Sequence, residues 1–223
     1  MGTSPNVLLQ CSRIAMQLFW LLWRTTNAKE AVAMDVTPGN LLGGSWLLLA
    51  AYWFFAALGA KRPAKKENSG ERIMHIAFMA VGFFMFYGSA FRFGVLNRRF
   101  LLDELWIAWV GAVITLLGVL FAIWARFTIG KEWSAEVQIK EGHQLIRSGP
   151  YAHIRHPIYT GILLALCGTA IAIGEYRAIL GLVLFLVGFI RKAKKEERFL
   201  AGEFGTAFDE HRRRTGFFLP RFT

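Results

Sequence analysis

The chain has 223 residues, of which 55% are apolar, 15% aromatic and only 18% charged. That is too apolar for an ordinary soluble domain and points to a membrane protein. The formal net charge of +11 lies in short connecting segments and at the C-terminus, not along a nucleic-acid-binding face. It therefore argues for orientation in a membrane and attraction to anionic headgroups, with no nucleic-acid partner.

In chain order, the first apolar stretch covers residues 14–23, short for a span that needs about 20 apolar residues. Residues 16–23 followed by Ala31-Val-Ala33 resemble a signal peptide with its cleavage site, but Arg24, Lys29 and Glu30 intervene, and a retained first helix is the better reading. Further spans are expected at 41–60, 73–91 and 105–127, the last with Trp106, Trp109 and Trp124 towards its ends, where indoles favour the interface. A polar connection, 128–157, leads to two shorter apolar runs, 158–173 and 178–190, parted by a break at 174–177. These read as a tight helical hairpin. Residues 191–214 are charged with helical periodicity, and Phe199, Leu200, Phe204 and Phe208 line one face of an expected amphipathic helix that ends before 216–220. The expected fold is all-α and polytopic, with about six membrane helices and a cytoplasmic C-terminal amphipathic helix. It forms one integrated domain in two parts, membrane helices over 1–125 and a catalytic region over 126–223.

Basic residues set the orientation. The segments 61–72, 126–155 and 191–223 carry five, five and nine Lys and Arg residues, against two, three and one in the alternating connections. Six spans then put the rich segments and both termini on the cytoplasmic side of a cell inner membrane or endoplasmic reticulum. Cys11 and Cys167 fall in no C-x-x-C spacing, so no metal site is expected.

The densest polar cluster is Gly149-Pro-Tyr-Ala-His-Ile-Arg-His-Pro-Ile-Tyr-Thr-Gly161, set between long apolar runs. Ionisable groups beside a membrane span are functional candidates. The hairpin should carry this cluster to the segment Arg191-Lys-Ala-Lys-Lys-Glu-Glu197, joining cations, two carboxylates and aromatic rings at one mouth. Such a mixture suits a ligand carrying both charges, such as a sulfonium with an amino-acid tail. Simpler readings exist for each part. Pro157 can start a helix, Gly149-Pro150 is a turn signal, Lys192 and Glu196 form an i,i+4 surface pair, and Arg155-His156 can anchor headgroups. Their co-occurrence at the two ends of one hairpin favours a site.

The pattern Gly-Pro-Tyr-x-x-x-Arg-His-Pro-x-Tyr-x-Gly, then an apolar hairpin, then Glu196-Glu-Arg-Phe-Leu200 and Phe204-Gly205, resembles the isoprenylcysteine carboxyl methyltransferase family. Gly130-Lys-Glu-Trp-Ser134 and Phe218-Leu-Pro220 add to the likeness, which covers residues 126–222; phospholipid N-methyltransferases share a related Glu-Glu arrangement. The resemblance implies methyl transfer from S-adenosylmethionine at the cytoplasmic membrane face. By motif position, the cofactor pocket would use Gln138, His143, Gln144, Leu145, Ile146, Tyr151, His156, Pro157, Ile158, Tyr159 and Glu196. Where the family places an arginine four residues before the glutamate, this chain has Lys192, next to Arg191; both would bind the substrate carboxylate. Lysine is a point charge without arginine's planar fork.

A carboxylate acceptor is already nucleophilic at neutral pH, so the chemistry needs orientation more than acid–base help, an effect worth roughly 7–11 kcal/mol. The catalytic candidates are Arg155 and Lys192 as orienting cations, with Glu197 or His153 as general base if the acceptor were an amine. The favoured acceptor is the carboxylate of a prenylated cysteine or similar lipophilic acid, held among membrane lipids. The alternatives are a lipid or small-molecule amine or thiol methyltransferase, and a non-catalytic transporter or scaffold.

Overall fold

The computed structural model describes residues 36–58, 69–88, 93–130 and 145–221, and Thr37–Thr223 form one compact unit. The expected first span, and Gln138, His143 and Gln144, lie outside the described residues. Those residues contain six α-helices and no strand: α1 (Pro38–Leu58), α2 (Ser69–Tyr87), α3 (Leu105–Ile129), α4 (Pro157–Ile173), α5 (Tyr176–Phe204) and α6 (Thr206–Arg214). The fold is all-α, as the hydropathy pattern implies.

Helix limits follow local chemistry. Thr37 accepts the Asn40 backbone N–H on its hydroxyl at 3.1 Å, and Pro38 takes the first helical position of α1, where its missing N–H costs nothing. Two expectations are corrected. The span expected over 73–91 ends at Tyr87. Here Arg177, only 2% exposed, donates to the carbonyls of Met85 (2.7 Å) and Phe86 at the end of α2 while pairing with Glu175. A cation in an apparent interhelical break thus caps another helix's orphan carbonyls. Secondly, the hairpin's second arm and the amphipathic helix are not separate. The 29-residue α5 runs straight through Arg191, because lysine and glutamate propagate a helix as well as leucine does. It stops at Gly205, whose φ of +49° lies outside the helical region, and the remaining expected segment forms the short α6.

Small residues hold α3 against α4. A Cβ built on Gly111 would lie 2.5 Å from the Ala172 nitrogen, and one on Gly161 2.6 Å from the Ala122 nitrogen; Gly118 and Gly168 are closed by Ala165 and Thr115 in the same way. These glycines serve close backbone approach, the usual device of helix pairs in lipid. Within this seam Thr115 donates to the Gly111 and Ala165 carbonyls, and Trp46 of α1 donates to the Thr169 hydroxyl at 3.0 Å. The α2–α5 contact is the second seam, where Gly82 and Gly181 face Phe185 and Phe86.

Outward faces are apolar: Leu47, Phe55, Ile73, Trp106 and Phe127 are 65–76% exposed, apart from Trp106 at 64%. Among the described residues α3 is long and apolar enough to cross a membrane, and Ile73–Tyr87 and Pro157–Ile173 are shorter apolar helices.

Candidate functional site

Gly149, with φ +56°, opens a 3₁₀ turn over Gly149–Ala152. Its hydrogen bonds, Tyr151 N to Ser148 O (3.2 Å) and Ile154 N to Pro150 O (3.0 Å), reverse the chain. The Tyr151 ring is buried in a cluster with Ala125 and Ile158, against which Ile146, Trp53 and Tyr159 pack. Burial raises the Tyr151 phenol, and the Glu196 charge adds to this, so it stays neutral.

Residues 153–156 then run alongside the C-terminal tail. Ile154 and Gly216 form a parallel bridge; Arg155 and His156 donate backbone N–H groups to Gly216 and Phe217, and Gly216 and Arg221 donate to the His153 carbonyl. Thr160 reaches the Phe218 carbonyl at 2.7 Å. The tail therefore clasps the polar motif at the point where Pro157 starts α4.

Above this clasp, α5 presents its two adjacent carboxylates. Arg155 Nε donates to Glu197 Oε1 at 2.6 Å, and its Nη1 donates to the carbonyls of Arg212 (3.1 Å) and Thr215. His156 stands between the carboxylates, with Nε2 3.2 Å from Glu197 and Nδ1 3.5 Å from Glu196. Tyr159 donates its hydroxyl to Glu196 at 2.5 Å. The Tyr159 ring stacks on Phe189 (4.8 Å) and on His156 (5.8 Å), while Phe217 meets His156 edge-on at 5.0 Å. Lys192, one turn before Glu196, holds its ammonium 6.0 Å from the Tyr159 ring.

The charges are mutually dependent. Burial pushes the His156 imidazole down, but its bonds and proximity to Glu196 and Glu197 more than reverse this and leave it raised. Burial likewise pushes both carboxyls up, and their partners outweigh it: His156, Lys192 and Tyr159 for Glu196, His156 and Arg155 for Glu197. Both glutamates end up below the usual carboxylate range and ionised. A base held in this way is a weak proton acceptor. Glu197 is an ion-pair partner here, and His153 is exposed, with its carbonyl engaged by the tail.

The fold brings together Arg155, His156, Tyr159, Lys192, Glu196 and Glu197, which are scattered over more than forty residues of sequence. Pro157 and Ile158 form the buried first turn below them, Leu145 is half-buried, and Arg191 is exposed beside Lys192 on a cleft against α2. Sequence reasoning missed Phe189, Phe217 and the carbonyls of Arg212 and Thr215. Only Phe218-Leu-Pro220 gave any signal that the tail belongs to this cluster.

Among the described residues, the fold is all-helical and carries a carboxylate pair at the mouth of its last long hairpin. The solved structure of the eukaryotic intramembrane Ras methyltransferase superposes with a TM-score of 0.55 at 19% identity, covering 84% of this chain and 69% of that one. The family model of the isoprenylcysteine carboxyl methyltransferase (ICMT) family matches residues 109–202, which take in all of α4 and most of α3 and α5. A probable protein-S-isoprenylcysteine O-methyltransferase of Oryza sativa subsp. indica is 30% identical over 123 residues, 53% of this chain and 64% of that one. A cobalt-zinc-cadmium resistance protein of Cupriavidus metallidurans is 34% identical over 118 residues, 52% and 53% respectively. The chain thus spans between about half and just under two thirds of the length of these curated relatives.

Proposed function

We propose that this protein is a multi-pass membrane methyltransferase that uses S-adenosylmethionine to methylate the carboxylate of a prenylated cysteine or similar lipophilic acid. Its site and both termini would face the cytoplasm. The observation that carries this reading is the Tyr159–Glu196 pair set against the ring row Phe189–Tyr159–His156. Glu196 is held ionised yet keeps a quarter of its side chain exposed, so it can accept from an ammonium or hydroxyl. The ring faces suit a sulfonium. The residues present therefore fit the cofactor, which supplies an electrophilic methyl group when bound.

The chain's own part is positioning. Glu196 and the ring row would hold the donor's polar end, with Leu145, Ile146, Tyr151, Pro157 and Ile158 beneath. Lys192, at the border between the ring row and the open cleft, would steer the incoming carboxylate. Arg155 is tied to Glu197 and two tail carbonyls, and it works by holding α5 and the tail in register. Among the described residues both glutamates are held in ion pairs, which favours an acceptor that needs no deprotonation, a carboxylate over an amine. The test is transfer of labelled methyl to acetyl-farnesylcysteine by purified protein. Base-labile product supports the reading; a base-stable product, or label only on amines or thiols, sinks the carboxylate assignment.

A further inference from the structure

The two faces of α5 beyond Ile190 differ in charge. Glu196 and Glu197 turn to the site just described. Arg191, Lys192, Lys194, Lys195 and Arg198 line a cleft of about 330 Å³ with His75 and Phe78 of α2. The cations at 191, 194, 195 and 198 fall at helical i, i+3, i+4 and i+7 spacing and so form one stripe. Arg191, Lys194 and Arg198 are exposed and make no ion pair among the described residues. The cleft has an apolar floor, because α2 and α5 approach closely at Gly188, where an added Cβ would lie 2.5 Å from the Met79 methyl and 3.3 Å from the Phe78 Cβ. Beside it, Ile76 of α2 and Val187 of α5 are 53 and 38% exposed. Among the described residues no carboxylate lines the cleft.

We propose that this α2–α5 cleft binds the phosphate of an anionic membrane glycerophospholipid, with an acyl chain lying along the exposed apolar residues below it. The vertical match supports this occupant. The composition of α5 changes from apolar to basic at a single point, between Ile190 and Arg191. The stripe from there rises about 10 Å at 1.5 Å per residue, long enough to cross the roughly 5–7 Å headgroup layer on one side of a bilayer. A cationic rim directly above an apolar groove meets both ends of one lipid molecule, whereas a free anion would use only the rim. The assignment does not depend on the methyl-transfer reading.

The test uses the full chain in nanodiscs of phosphatidylcholine with and without phosphatidylglycerol, reading retained lipid by native mass spectrometry. The wild type should retain phosphatidylglycerol in preference to phosphatidylcholine. The doubly substituted Lys194→Gln/Arg198→Gln protein should retain it roughly tenfold or more weakly, and Lys194→Arg/Arg198→Lys should behave as wild type. If the glutamine protein fails to fold, a photoreactive phosphatidylglycerol on the wild type decides: crosslinks should map to residues 75–78 and 188–198. Equal retention of both lipids, unchanged retention in the glutamine protein, crosslinks elsewhere, or displacement by millimolar inorganic phosphate would each overturn the proposal.

Discussion

Arg155 and Glu197 meet at 2.6 Å across 42 residues of sequence, with side chains only 12 and 16% exposed. Together with the Thr215 carbonyl, this pair ties the start of α4, the middle of α5 and the tail into one unit. Removing one member of a largely buried pair leaves the other charge uncompensated, at a cost of about 3–5 kcal/mol. Arg155→Ala and Glu197→Gln should each lower the melting temperature markedly, and the double substitution should cost less than the sum. Strict additivity in thermal denaturation would show that the pair does not couple these elements.

The His156 network sets a pH dependence of stability. His156 is raised above its ordinary 6.5 on folding. Its contribution is therefore fully present below 6.5 and is lost as pH rises through the raised value. Glu196 and Glu197 are lowered below 4.5, so theirs is present above 4.5 and is lost on acidification. His211, lowered by burial and by the charges of Arg147 and Arg155, adds to the acid-side loss. Melting temperature against pH should show a plateau falling on both sides, and His156→Gln should flatten the alkaline fall. Parallel alkaline profiles for the two proteins would remove His156 as its cause.

Glycines make a matched pair of tests. Gly111→Ala pushes a methyl onto the Ala172 nitrogen and the Gly168 carbonyl, backbone atoms that cannot step aside. It should destabilise by roughly 1–3 kcal/mol. Gly44→Ala, within α1, meets nothing within 4 Å and should be neutral or stabilising by about 0.4–1 kcal/mol. Equal melting temperatures for the two variants would contradict the α3–α4 seam.

Lys192 borders both the Tyr159–Glu196 pair and the basic cleft. Lys192→Ala should raise the KM for acetyl-farnesylcysteine severalfold while leaving that for S-adenosylmethionine nearly unchanged. The opposite order would place Lys192 on the donor side.

Helix positions were legible in the sequence because hydropathy marks apolar runs regardless of how they pack. The join at Arg191 was misread because a change from apolar to charged residues alters a helix's surroundings without breaking its backbone; only Gly205 does that. Arg177 looked like part of a break because its carbonyl partners lie about ninety residues away. The meeting of Arg155, His156, Glu196 and Glu197 was readable from the hairpin, which returns both segments to one end. The clasp by the tail was not, since it is built largely from backbone hydrogen bonds that any side chains could accompany.

The central claim is that Glu196, braced by Tyr159, holds the polar end of the methyl donor. Calorimetric titration of S-adenosylhomocysteine into the purified protein and into Glu196→Gln tests it most directly. The wild type should bind, and the variant should bind at least about tenfold more weakly, the loss of one charge-assisted hydrogen bond, while remaining folded. Unchanged affinity in the variant would remove Glu196 from the pocket, and no binding by the wild type would contradict the methyltransferase reading itself.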